Sequence, residues 1–341
     1  MERPEIRRAG RRPVVALAAL AALVVLAAGL TLAAHDPSAG PAATAAAPPA
    51  GPAPGAAPGS APAAPAAPSG PRPVDLAARV DAYTAGFSVT GPYAVPDPAA
   101  RRAVAEGVAR AVDGRPDRAD RLLAAAGYRL TEFTDTVSGR RTAEIADASG
   151  TDPRGWGRVY LDLSTRTTWS AQIPHPVADS RTELLGVDLF RLAPGGVLVL
   201  AGAHRRAGTD GAADVAHRDD TVFAAVVGAL TARALPGLQL HGFDEDGLPG
   251  TDAVVSSGAG PAGDTAERAA AALDATGLAV CRAWRGKCGR LAGTTNVEGR
   301  SAAALGAPWV HVELANPLRT DPARRAATAG ALARAVGGPG N

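Results

Sequence analysis

Between residues 173 and 183 the chain reads I-P-H-P-V-A-D-S-R-T-E, which sets His175 beside a proline with Asp179 four and Glu183 eight residues on. The whole chain has only six histidines, so this spacing reads as a metal site or as a solvated helix start. A catalytic zinc needs three protein ligands of nitrogen or oxygen type and an open fourth position. His175, Asp179 and His241, the last closing L-Q-L-H, can supply the three. Asp179 is preferred to Glu183 because four residues match one turn, while Glu183 opens the next helix. Glu313 lies inside the apolar run W-V-H-V-E-L, where a carboxylate is expensive to bury unless it is paired or functional. Such a group can carry the proton of a water made acidic by zinc. Serine chemistry and phosphate binding fit worse, since no G-x-S-x-G, P-loop or Rossmann fingerprint occurs.

These residues need a frame, and the hydrophobic pattern describes one. Short apolar runs recur at 159–163, 167–173, 197–201, 238–240, 253–256, 278–281 and 309–314. Helix-like segments cover 182–192, 221–234, 265–276 and 322–336. Strands alternating with helices predict an α/β domain over 151–341, a mostly parallel mixed sheet with helices on both faces. His175, His204, His217, His241 and His311 all fall in this part, most of them at or near the end of a run. Ligands of open α/β sheets bind beyond the carboxyl ends of the strands. His217 sits on the long loop 205–220. Alternation along 309–314 puts His311 and Glu313 on one face and Val310, Val312 and Leu314 on the other. His311 reads as a core residue rather than a ligand. Ahead of this domain, residues 73–150 read as a preface of two helices, 98–112 and 117–126, and a hairpin of 128–133 with 141–146.

The N-terminal sequence points to export. Residues 1–13 carry five arginines, and no charge appears from 14 to 34, about the ~20 residues a spanning helix needs. The arginines predict a cytoplasmic tail. A single-pass membrane anchor and a cleaved signal peptide that leaves a secreted protein share this layout. Either puts the C-terminal domain outside the cytoplasm. Residues 35–72 are almost wholly Ala, Pro, Gly and Ser and predict a disordered linker. A net charge of +2 gives no reason to expect nucleic acid. Cys281 and Cys288 are the only cysteines and close a short loop. They read as a disulfide, because a pair of soft metal ligands would want further Cys or His nearby.

The order of motifs over residues 160–336 resembles the zinc carboxypeptidase-like hydrolases, in the branch of poly-γ-glutamate hydrolase and N-formylglutamate amidohydrolase. The matching pieces are His175, Asp179, Thr182-Glu183, His241-Gly242-Phe243, Val312-Glu313-Leu314 and Leu318-Arg319. The resemblance implies zinc as cofactor, ligands at His175, Asp179 and His241, and a general base at Glu313. Pro176-Val177 stands where that family carries glycines. The reading that follows is an extracytoplasmic zinc hydrolase of an amide bond in a carboxylate-bearing substrate: a peptide (cell-wall derived), a γ-glutamyl compound or an N-acyl amino acid. Arg205, Arg206, Arg218, Arg300 and Arg319 are candidates to grip the carboxylate, Arg319 with motif support, and His204 and His217 lie nearby in sequence. The rival reading is a non-catalytic envelope-binding module on a membrane-tethered stalk. It holds no stoichiometric metal.

Overall fold

The computed structural model describes residues 70–337. The basic tail over 1–13, the anchor or signal over 14–34 and residues 35–69 of the linker expected over 35–72 lie outside the described residues. The expected single-pass membrane location is corrected: among the described residues no helix is long and apolar enough to cross a membrane.

Ten strands form one sheet: β1 Arg72–Val74, β2 Tyr128–Asp135, β3 Arg141–Asp147, β4 Arg158–Asp162, β5 Trp169–Ile173, β6 Gly196–Leu200, β7 Gly237–Phe243, β8 Ala253–Ser256, β9 Val280–Arg282 and β10 Trp309–Ala315. The helices are α1 Leu76–Thr84, α2 Pro98–Val112, α3 Pro116–Ala125, α4 Thr182–Leu192, α5 Val222–Thr231, α6 Asp264–Asp274, α7 Val297–Leu305, α8 Pro317–Thr320 and α9 Pro322–Val336. Several start where their first residues dictate. Asp97 caps α2 by accepting from the Ala100 amide and Pro98 follows it, and Asp321 with Pro322 repeats the device at α9.

The strands lie in the order β1-β2-β3-β4-β6-β5-β7-β10-β8-β9. The centre, β6-β5-β7-β10, is parallel, and β4 and β8 flank it antiparallel. This is the mostly parallel mixed sheet that the sequence predicts. The hairpin of the preface, β2 and β3, pairs antiparallel and extends the same sheet through β4. Apolar cores cover both faces. One packs Ile173, Leu198, Leu240 and Val312 under α4, α6 and α9, and the other packs Val159, Val197 and Val199 under α2, α3 and α5. From β5 the chain passes through α4 to β6, then returns through α5 to β7 on the far side of β5. Its direction of travel therefore reverses between β5 and β7, which opens a crevice beyond their carboxyl ends.

Candidate metal centre

The β5–α4 loop delivers two side chains into that crevice. His175 follows β5 by two residues, and Asp179 closes a turn back onto it, its amide donating to the His175 carbonyl at 3.0 Å. Val177, Ser180 and Arg181 all take positive φ, 67°, 32° and 63°. Val177 thus adopts the backbone region that suits glycine, at the position where the resembling family carries one. For a β-branched residue that conformation costs on the order of 1–3 kcal/mol and persists only where the surroundings impose it. Here Glu183 Oε2 accepts from the Val177 amide at 3.1 Å. The Arg319 guanidinium donates to the carbonyls of Asp179, Ser180, Leu314 and Phe243, stapling the loop to β7 and β10. Arg319 is 2% exposed, and a Cβ on Gly242 would collide with it. Four of its five N–H donors are spent on backbone carbonyls, so these contacts give Arg319 the task of holding the loop rather than gripping a substrate carboxylate. Glu183 serves the loop, and Asp179 joins the cluster.

Asp179 Oδ2 is 3.4 Å from His175 Nδ1 and 3.1 Å from His241 Nδ1. The three residues are buried, and their ligand atoms lie within 4.8 Å of one another. Each imidazole turns its other nitrogen outward to an acceptor: His175 Nε2 to Asp214 Oδ1 at 2.7 Å, and His241 Nε2 to Gln239 Oε1 at 3.0 Å. With the ring protons there, both Nδ1 lone pairs face a carboxylate oxygen. Three acceptors around one point repel unless a cation or a proton stands between them. Tetrahedral zinc with bonds of ~2.0–2.1 Å separates its ligand atoms by ~3.3–3.4 Å, close to the two spacings from Asp179 to the imidazoles. The donor set fits zinc.

Electrostatics agree. Burial alone would raise the Asp179 carboxyl, but the neighbouring His175 and His241 outweigh it and hold the group far below the usual carboxylate range. Burial pushes His241 down to about 4, keeping it in the neutral form that ligates metals. Burial works the same way on His175, yet Asp179 and Asp214 outweigh it and raise its pKa, so without metal a proton on His175 takes the cation's part.

Asp214 is the residue that sequence reasoning misses. It sits in the irregular 205–220 loop, where no periodicity marks it, and its only clue is the D-V-A-H spacing to His217. It orients His175 through Oδ1, while its Oδ2 accepts from Arg205 Nη2 at 2.8 Å and stands 3.3 Å from His217 Nδ1. Arg205 Nη1 lies 3.3 Å from His175 Nδ1, and a third of its side chain is exposed. His204 is half-buried, accepting from the Arg206 amide at 3.1 Å, and burial with the charges of Arg206 and Arg205 lowers its pKa. Arg218 is paired with Asp220 at 2.8 Å and does not reach the cluster.

Glu313 stands directly across from His241 in the β7–β10 register. One of its oxygens lies 3.2 Å from His311 Nε2, so these two side chains share a face as the alternation requires. The other oxygen is buried without a partner. His311 packs against His241 with the rings tilted by 43° and their centres 4.7 Å apart, and it is covered by the backbone at Gly293, where a Cβ would approach its ring to 2.6 Å. Gly293 needs its φ of +58° for that approach. It belongs to the segment that follows the Cys281–Cys288 disulfide, which is formed as expected.

No protein-family model matches the chain, and no curated protein matches it either. Among solved structures it is similar to a bacteriophage poly-gamma-glutamate hydrolase, at 15% identity and TM-score 0.38 over 50% of this chain and 83% of that one. It is also similar to a putative carboxypeptidase from Burkholderia mallei, at 14% identity and TM-score 0.36 over 64% of this chain and 66% of that one. A metallo-carboxypeptidase from Pseudomonas aeruginosa matches at 14% identity and TM-score 0.34, over 65% of this chain and 67% of that one.

Proposed function

We propose that this chain is a zinc-dependent hydrolase that cleaves an amide bond in a carboxylate-bearing substrate, a peptide, γ-glutamyl compound or N-acyl amino acid. The supporting observation is the convergence of His175 Nδ1, His241 Nδ1 and Asp179 Oδ2 at the switch point, with an unpartnered Glu313 oxygen on the next strand. These three residues would hold zinc, which would supply a Lewis acid for the amide carbonyl and a water acidic near neutral pH. Glu313 then acts as general base: its free Oε2 takes a proton from the attacking water and returns it to the leaving nitrogen as the C–N bond breaks. His311 holds the other carboxylate oxygen at 3.2 Å and leaves Oε2 buried without a partner. Asp214 keeps the His175 proton on Nε2. Arg205, half committed to Asp214, takes over from Arg319 as the candidate for the substrate carboxylate, with His204 and His217 flanking it.

Glu313→Gln tests this role. It keeps size and shape but cannot accept the proton, so turnover of a γ-glutamyl or N-acyl amino acid amide should fall ~10²–10⁴-fold with zinc content unchanged. Undiminished turnover removes Glu313 from the mechanism. A full chain that hydrolyses no γ-glutamyl or N-acyl amino acid amide and binds no zinc favours the non-catalytic binding module instead.

A further inference from the structure

Behind His241, on the sheet face covered by α7, three polar side chains are buried: Gln239 at 0%, Asn296 at 4% and Glu298 at 3% exposure. Burying them is costly unless their hydrogen bonds are spent on something specific. Gln239 precedes His241 by two residues and therefore shares its face of β7. Its Oε1 lies 3.0 Å from His241 Nε2 and 2.6 Å from Asn296 Nδ2, while Asn296 Nδ2 itself stands farther from His241 Nε2, at 3.4 Å. Its Nε2 donates to Glu298 Oε2 at 3.1 Å.

An amide side chain has one accepting and one donating end, and its surroundings decide which way it points. Glu298 takes the donating end of Gln239, and the Asn296 NH₂ takes the accepting end. The Gln239 carbonyl must then face the imidazole, and only an N–H can meet it. Left to itself, an imidazole beside the Asp179 carboxylate would put its proton on the nitrogen facing that carboxylate. The network imposes the opposite. An ionised Glu298 can only accept, so Gln239 must turn its NH₂ to Oε2.

We propose that Glu298 and Asn296, acting through Gln239, fix the proton of His241 on Nε2 and so prepare Nδ1 as a metal-ligating nitrogen. These three are positioning residues. The consequence for zinc rests on the function proposed above, whereas the tautomer is a property of the metal-free protein and is read separately.

The test is long-range nitrogen–proton NMR of the chelator-treated full chain at neutral pH, with the His241 signals assigned by their loss in His241→Ala. Wild type should show a protonated Nε2 and a bare Nδ1. Glu298→Leu frees Gln239 to turn, and should move the proton toward Nδ1 and weaken zinc binding ~10–100-fold, the usual cost of losing an outer partner of a metal ligand. Glu298→Gln keeps an acceptor oxygen and should retain both the tautomer and the affinity. Should Glu298→Leu fail to fold, Gln239→Leu, which removes the carbonyl that faces Nε2, gives the same readout. A wild-type proton on Nδ1, or zinc binding weakened in Glu298→Leu with the tautomer unchanged, overturns the proposal. The expected tautomer in a protein that binds no zinc leaves it standing and sinks the hydrolase instead.

Discussion

The strands β5, β7 and β10 carry two opposite surfaces. On one, Ala171, Ile173, Leu238, Leu240, Val310, Val312 and Leu314 pack into an apolar core against α4, α6 and α9. On the other, Ser170, Gln172, Gln239, His241, Trp309, His311 and Glu313 are just as buried. The first surface stabilises the fold by removing apolar area from water. The second costs free energy and is tolerated because its groups are chained together, from Trp309 Nε1 on Gln172 Oε1 at 3.0 Å to the Gln239–Glu298 bond. Where the chain is left open, at Glu313 Oε2 and Glu298 Oε1, the open atom borders the candidate metal centre or the network behind it. Burial therefore does not separate stability from function here. The chemistry of what is buried does.

The sharpest way to break this comparison is to truncate one residue on each face. Leu240→Ala should cost ~2–5 kcal/mol in urea unfolding and leave the zinc content of the folded protein intact. If it instead removed zinc at unchanged stability, the division between the faces would fail.

Acid–base linkage offers a second test on the polar face. Burial raises Glu298 from its ordinary value of 4.5 to about 7. The folded state holds that proton longer than the unfolded chain does. Its contribution is thus fully present below about pH 4.5 and lost as pH rises to about 7, on the order of 3 kcal/mol in all. His241, lowered to about 4, slopes the other way and is common to both proteins compared. In chelator-treated protein, Glu298→Gln should gain stability over wild type between pH 5 and pH 8. A difference that stays constant with pH would mean Glu298 titrates normally.

A smaller effect is expected at the loop. Asp214→Asn weakens the partner of His175 Nε2–H and should reduce zinc affinity ~10–100-fold by competition with a chromophoric chelator. An unchanged affinity would leave Asp214 as a partner of Arg205 alone.

Regular periodicity made most of the frame legible. The spans expected at 98–112, 182–192, 253–256 and 322–336 coincide with α2, α4, β8 and α9. Residues with weak patterns were not seen: β1, α1, and α7, whose V-E-G-R-S-A-A-A-L has no strong apolar stripe. The candidate cluster was legible because its histidines end strands, where alternation and strand order constrain them. Asp214 and Asn296 were not, because loop residues are placed by tertiary contacts that leave no local period. The task of Arg319 was not legible for a related reason. A motif gives a residue's position, but only packing shows that four carbonyls surround its guanidinium.

The most direct test is zinc per chain, measured by atomic emission on the purified full chain after exhaustive dialysis, alongside His175→Ala and His241→Ala. A site of two imidazoles and one carboxylate predicts close to one zinc per wild-type chain and a sharp loss in either variant, with the fold retained by circular dichroism. A wild-type chain without stoichiometric metal, or a His241→Ala chain that keeps its full zinc, would contradict the account.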